Sequence, residues 1–522
     1  MLQHLLYIIA PSRLEAFKAA MGRLNAEPLS GPDITVNFMV KHRLLEGMSL
    51  QVSILTDVDG VTPFLRQNPV DLLIYDERGH ELPDTLDAIR LIRSDVKQLA
   101  ELWGPDFQFP ISRVVVILNK GQDTDNKVFQ LGRLNVRDVL IEPRNTALVL
   151  RWLKNILYHG IIRTEMVGLA LSGGAIEGFL YQIGVIHALN QAMINRNLQD
   201  VDVVSGVSSG SIAGSMVANK IPVIEILRSL HAMDAEVQPL KLSTLFDFAG
   251  LHILRRFAKV WLSMRTTPLS QWLSNLARSV PTGFFKGNKL EEYFETTITQ
   301  YGKGPKFSDL EGIQLYIGVT DQDSFKHVTL GKPPLHDINI SAAIRASAAL
   351  PPLYTPKSIK GRNYIDGQVT RSCNLESVVE AGARLIFIID PLKPFKTNTA
   401  GSTDKEGGFY GIVQMVKALV STRFDASLKA MSERYPDVDF MVFQPDDQCA
   451  KLMSGSPLRA KFRTEIIQLA YEGTLRKLRE RHNVYNAIMS RYGFHLRTEE
   501  EIRSLEGSYF EILEPTGSRN PD

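Results

Sequence analysis

The segment VDVVSGVSSGSIAGSMVAN runs from an apolar strand pattern into Gly206-Val207-Ser208-Ser209-Gly210 and on into a small-residue helix pattern. A serine in a sharp strand-to-helix turn is placed to act as a nucleophile, and Gly206 and Gly210 stand where side chains would clash. The amino end of the next helix would lie beside it and favour developing negative charge. The bland alternative is a glycine-serine turn that only joins two elements. Upstream, VGLALSGGAIEGFLYQIGVIHAL leads a strand into Ser172-Gly173-Gly174-Ala175, then Gly178 and a helix. Successive backbone N–H groups of such a loop can hold an oxyanion. A phosphate is the competing occupant, but the loop has neither Gly-x-Gly-x-x-Gly nor Gly-Lys-Ser/Thr. Downstream, GRNYIDGQVTRSCNLES puts Asp366 at a strand end before Gly367. Alone, Asp-Gly reads as a turn.

Two stretches of alternating elements must position these residues. In the first, apolar runs at 5–9, 51–55, 70–75, 113–118 and 139–141 predict strands, with a further one at 34–40. Helical patterns lie between them, near 12–24, 59–67, 84–102, 127–134 and 145–158. This alternation predicts a parallel sheet with helices on both faces. The second stretch has strand patterns at 167–171, 201–205, 315–320, 364–366 and 385–390. Residues 399–408 (TAGSTDKEGG) read as a flexible loop. The tail from about 409 is mainly helical in pattern, with one more strand at 439–444.

Residues 1–160 resemble the receiver domain of bacterial response regulators. In VDLLIYDERG, Asp76 ends the third strand as that family's phosphoacceptor does, and LNVRDVLIEP resembles the segment around its fifth strand. The acidic pair that follows the family's first strand has no counterpart in LLYIIAPSR, and its lysine before proline is Glu142 before Pro143. The resemblance therefore implies a degenerate receiver, a regulatory or interaction module that binds a partner or a second copy.

Residues 165–395 resemble the patatin-like phospholipases. That family pairs a glycine-rich loop, a Gly-x-Ser-x-Gly elbow and an Asp-Gly-Gly/Ala motif in this order, and VTDQDS (319–324) and AIRASAALPPLYTP (343–356) match as well. The resemblance implies an α/β acyl hydrolase core, with the helical region 396–522 packed on it. It implies Ser208 as nucleophile, Asp366 as its base and the N–H groups of Gly173, Gly174 and Ala175 as the oxyanion hole. It implies a lipid ester as substrate and no metal or organic cofactor. Three departures stand out. Ala175 replaces a glycine, Glu177 replaces a basic residue, and the last motif reads Asp-Gly-Gln. A carboxylate at Glu177 would disfavour anionic head groups.

An aspartate can serve as base only where its surroundings raise its proton affinity, as burial in a dry cleft does. The rival is a Ser–acid–His triad, for which only His482 and His495 follow Asp366. Both stand in charged helical sequence. Residues 251–265 (LHILRRFAKVWLSMR) form a helical pattern with a basic face opposite Phe257 and Trp261. That pattern suits a membrane interface or lid, or a packed helix.

Composition bounds the rest. The 522 residues are 44% apolar and 22% charged, with a formal net charge of +2. That is an ordinary globular balance, and it argues against nucleic acid as a partner. Two cysteines, Cys373 and Cys449, make neither a metal site nor a disulfide framework and fit a reducing, cytoplasmic setting. The amino-terminal apolar run reads as a buried strand rather than a leader. No run approaches 18 apolar residues, so membrane contact is expected to be peripheral.

Overall fold

The structure is a computed structural model that describes residues 2–24, 26–29, 36–41, 49–79, 81–103, 109, 113–134, 136–143, 146–159, 166–231, 233–238, 283–395, 408–454 and 461–510. The amphipathic pattern at 251–265 and most of the loop at 399–408 lie outside the described residues. The chain divides into two compact units.

The first unit contains β1 (Leu2–Ile9), α1 (Leu14–Arg23), β2 (Glu27–Leu29), β3 (Val36–Lys41), β4 (Ser49–Leu55) and α2 (Val61–Gln67). It continues with β5 (Leu72–Asp76), α3 (Thr85–Trp103), β6 (Val114–Leu118), α4 (Thr124–Arg133), β7 (Asp138–Ile141) and α5 (Thr146–His159). The sheet order is β2-β3-β4-β1-β5-β6-β7. Five strands, β4-β1-β5-β6-β7, are parallel. In chain order they run 2-1-3-4-5, the doubly wound flavodoxin-like arrangement expected of a receiver-like sheet. All of β5 and β6 is buried, as central parallel strands require. Alternate residues of β1 feed two cores. Leu6 and Ile8 pack with α2, α3 and α4, while Leu5, Tyr7 and Ile9 pack with α1 and α5.

The strand expected at 34–40 is found as β3, but it runs antiparallel to β4 and pairs with β2. The connection explains this. Seven residues separate Lys41 from Ser49, whereas a parallel crossover needs a dozen or more. Segments Ser427–Phe440 and Glu480–Leu496 also belong to this unit. Within it Arg113 pairs with Asp439 at 3.0 Å and Arg491 with Asp71 at 2.6 Å. The region 396–522 therefore contributes to both units.

In the second unit the site is built from β8 (Val167–Leu171), α6 (Ala175–Ala192), β9 (Val203–Val207), α7 (Ser209–Ala218) and β10 (Gln314–Asp321). To these are added β11 (His327–Leu330), a helix at Ile340–Ser347, β12 (Lys357–Ile359), β13 (Arg362–Asp366), β14 (Leu385–Ile389), a helix at Gly408–Arg434 and β15 (Asp439–Phe443). The sheet order is β12-β13-β10-β9-β8-β14-β15, with β11 paired to β10. Its centre, β10-β9-β8-β14, is parallel, and β11 and β13 are antiparallel to β10. Successive strands after β8 step one way, and β14 and β15 step the other. The carboxyl ends of β8 and β14 therefore flank a topological switch point, where open α/β sheets keep their ligand crevices.

Candidate active site

β9 delivers Ser208 with φ 53° and ψ −123°, a left-handed conformation that non-glycine residues rarely adopt. Two close approaches hold it there. A Cβ on Gly206 would meet the Gly210 carbonyl at 2.2 Å, and one on Gly210 would meet the Leu171 carbonyl at 2.4 Å. Only glycine lets the turn fold this tightly and lets α7 press on the end of β8. The Ser208 N–H donates to Ser347 Oγ at 2.8 Å, and Ser347 Oγ–H donates to the Gly318 carbonyl at 2.7 Å. Ser347 thus ties the elbow to β10. The amino end of α7 starts at Ser209, so its dipole favours negative charge at Ser208.

Asp366 ends β13. Its register partner on β10 is Val319, and Gly318 faces Val207 on β9, so Asp366 and Ser208 emerge on either side of β10 at the same end of the sheet. The side chain is 0% exposed. Oδ1 accepts the Gln368 N–H at 2.8 Å, while buried Oδ2 has no hydrogen-bond partner of regular geometry. Burial pushes its pKa up to about 7, against the pull of the Gln368 amide and the Ser208 hydroxyl. The Ser208 hydroxyl is thus among the groups that act on the buried Asp366 carboxylate.

The loop after β8 is pinned from behind. Ser172 Oγ–H donates to Asp390 Oδ1 at 2.5 Å, Gln444 Nε2–H donates to Oδ2 at 2.9 Å, and Gln182 Nε2–H donates to the Ser172 carbonyl at 2.5 Å. Burial raises the Asp390 pKa. Gly173 and Gly174 are buried, and Ala175 takes φ 54° where the family's third glycine would stand. α6 and α7 begin side by side, since a Cβ on Gly178 would lie 3.0 Å from Ser209 Oγ. Two helix amino ends thus converge on the crevice.

The Asp-Gly-Gln departure has a structural counterpart. The Gln368 amide group lies where a Gly173 Cβ would be, with Cδ only 2.3 Å from that point, and its Nε2 is buried without a partner. Arg423 holds the same turn, donating to the carbonyls of Gln368 and Val369. Glu177 also has company. Burial pushes its pKa up to about 7, and Lys417 from the Gly408–Arg434 helix pulls the other way. Lys417 is itself buried and donates to the Met453 carbonyl at 2.7 Å.

Histidines do not join this group among the described residues. His482 and His495 belong to the first unit, and His495 Nδ1 hydrogen-bonds with Ser490 Oγ. His327 on β11 is nearer in the fold, but its ring nitrogens engage Thr370 and Asn374, and burial lowers its pKa to about 4. Sequence reasoning missed Ser347, Asp390, His327 and Lys417. Ser347 sits inside the matched stretch 343–356, which was a usable signal; the others carry none.

Residues 169–379 match the family model described as patatin-like phospholipase. This part of the chain is similar to the patatin-like phospholipases. Lysophospholipase nte1 of Aspergillus oryzae (strain ATCC 42149 / RIB 40) is 24% identical over 263 residues. The match covers 49% of this chain but only 14% of that protein, so the chain spans a small part of its relative's length. Among solved structures, VipD from Legionella pneumophila is 16% identical, covering 61% of this chain and 67% of that one, with a TM-score of 0.29. Full-length ExoU in complex with SpcU, from the type III secretion system of Pseudomonas aeruginosa, is 16% identical over 68% of this chain and 69% of that one, with a TM-score of 0.23. The patatin-like domain holds all three motifs, Gly173 to Ala175, Ser208 and Asp366, within the matched residues.

Proposed function

We propose that the patatin-like domain is a lipid acyl hydrolase with Ser208 as nucleophile and Asp366 as base. The carrying observation is Asp366: wholly buried, one carboxylate oxygen unpartnered, its pKa pushed to about 7 with the Ser208 hydroxyl among the groups acting on it. A base is most effective when its pKa lies near the working pH. Ser208 Oγ attacks the ester carbonyl carbon as its proton passes to Asp366. The carbonyl oxygen gathers negative charge, which the N–H groups of Gly173, Gly174 and Ala175 receive at the paired helix ends. Collapse breaks the ester C–O bond, and the departing alcohol takes the proton. Water then attacks the acyl-serine, gives a proton to Asp366, and the fatty acid leaves as Ser208 is re-protonated.

The substrate class, a phospholipid or related fatty-acyl ester, is supported by the family description and by the lysophospholipase name of the curated relative. Among the described residues no helix is long and apolar enough to cross a membrane. The proposed enzyme meets lipid peripherally, with residues 251–265 as the contact and a cytoplasmic setting. A fluorophosphonate probe tests the reading. Labelling of wild type that Ser208→Ala removes is expected; wild type that stays unlabelled beside a reactive control hydrolase points to a non-catalytic lipid-binding role. Acyl transfer to an alcohol uses the same residues, and product analysis with and without acceptor alcohols separates it from hydrolysis.

A further inference from the structure

The first unit contains a cavity of about 380 Å³ between β1, β4, α1 and α5. Its walls are apolar along their length, with Leu5, Ile9, Phe17, Leu50, Val52 and Leu150 among them. Arginines stand at both ends. Arg13 and Arg78 line it at the carboxyl ends of β1 and β5, and Arg23, the last residue of α1, lines it at the other. From Arg13 to Arg23 the helix rises about 15 Å.

Volume and lining point to a ligand, and one mouth, at Arg13 and Arg78, lies by the carboxyl ends of β1 and β5. The volume falls in the range of small-molecule sites, which are mostly apolar with a few placed polar groups. The ends of β1 and β5 also form the switch point of this sheet, where doubly wound folds take ligands.

Charge narrows the choice. At that end one carboxylate, Asp76, faces two guanidiniums. Arg78 grips it with two bonds of 2.7 and 2.6 Å, and Arg13 stands 3.9 Å away with its side chain 34% exposed. The nearby Glu81 carboxylate is taken by the Ser12 N–H at 2.8 Å. Asp76 and Glu81 balance the two guanidiniums in formal charge, so a ligand would be met there by the remaining N–H donors of Arg13, whose Nη1 donates to the Arg78 carbonyl at 3.2 Å. Arg23 has no acidic partner among the described residues.

We infer that this cleft binds a fatty carboxylate, its chain along the slot between α1 and the sheet and its head group at Arg13. A guanidinium presents paired donors that match a carboxylate, and the slot's length suits a chain of about a dozen carbons. A fatty acid is also what the proposed hydrolase would release, but the argument rests on the cleft alone.

The test is calorimetry on the full-length protein with dodecanoate below its micellar concentration, with dodecanol and inorganic phosphate as separate probes. Saturable 1:1 binding of dodecanoate is expected. Arg13→Ala should weaken it about tenfold, dodecanol should bind at least tenfold more weakly, and phosphate should not compete. Ala20→Trp, which fills the slot, should abolish binding and remove the rise in melting temperature that dodecanoate gives wild type. Should that variant not fold, Arg13→Ala and Arg23→Ala on exposed or half-exposed positions carry the test. Binding must survive fluorophosphonate treatment and the Ser208→Ala change. No binding, equal affinity in Ala20→Trp and Arg13→Ala, or loss on Ser208→Ala overturns the inference. Dodecanoate binding by a protein that takes no fluorophosphonate label would sink the hydrolase reading and leave the cleft standing.

Discussion

Asp76 and Asp366 end strands in the two units, and both side chains are 0% exposed. Their surroundings give them opposite characters. Asp76 is saturated: Arg78 holds both oxygens, and Tyr7 O–H donates to Oδ2 at 2.9 Å. Asp366 has one backbone donor and an idle oxygen, and burial lifts its pKa to about 7. A buried carboxylate that is fully paired is a structural part, because its charge is already spent. One that is half paired retains proton affinity and can work as a base. The difference lies in the partner. Asp76 meets a guanidinium at 2.6 Å, whereas Asp366 meets a serine hydroxyl and an amide.

The comparison can be broken at its active side first. Ser208→Ala should reduce ester turnover by about 10⁴-fold or more while the protein stays folded; turnover within tenfold of wild type would remove Ser208 as nucleophile. Asp366→Asn should cost about 10³- to 10⁴-fold. In wild type, kcat/KM should rise with pH and level off above a pKa of about 7, since the working form is the deprotonated one. Stability moves the other way. The Asp366 pKa is raised on folding, so its favourable contribution is complete below the unfolded value near 3.8 and is lost as pH climbs through about 7. Asp366→Asn should therefore melt higher than wild type at pH 8, by a few degrees (about 3 °C), in a calorimetric scan.

Gln368→Glu sets a carboxylate against Gly173 and should lower kcat by about 100-fold, the scale of one lost oxyanion donor. The isosteric change keeps the packing, so unchanged kcat would locate the oxyanion elsewhere. The smallest effect on turnover is expected from Arg78→Ala. It leaves buried Asp76 with only the Tyr7 hydroxyl and the more distant Arg13 as side-chain partners, at a cost of about 3 kcal/mol to the first unit, visible as a lower melting transition. Turnover by the patatin-like domain at a temperature below that transition should stay within about twofold of wild type. Protection of the first unit equal to wild type would mean that Asp76 does not depend on Arg78.

Legibility differed from residue to residue. Ser208 was readable because its constraint is local: strand, glycine, serine, glycine and helix follow one another, and backbone sterics act over those few residues. The parallel strands were readable because burial on both faces demands unbroken apolar runs, as VVVIL of β6 has. The turning of β3 was not read, although the seven residues before β4 excluded a crossover. Asp366 was legible only through its resemblance, since Asp-Gly is common in turns. Asp390 and Lys417 carry no local pattern. The first is defined by Ser172, 218 residues away, and the second by Glu177 and the Met453 carbonyl.

By itself the amino-acid order determined the two alternating α/β stretches, the strained elbow at Ser208 and the glycine loop at 173–174, because each depends on neighbours in the chain. The tertiary structure alone decided that Asp366 gains proton affinity. Desolvation and pairing are properties of what packs around a carboxylate, and those groups come from distant parts of the chain. Tyr7 closes over Asp76 from 69 residues away, while the Gly318–Val207 register brings Asp366 to the end of the sheet where Ser208 turns.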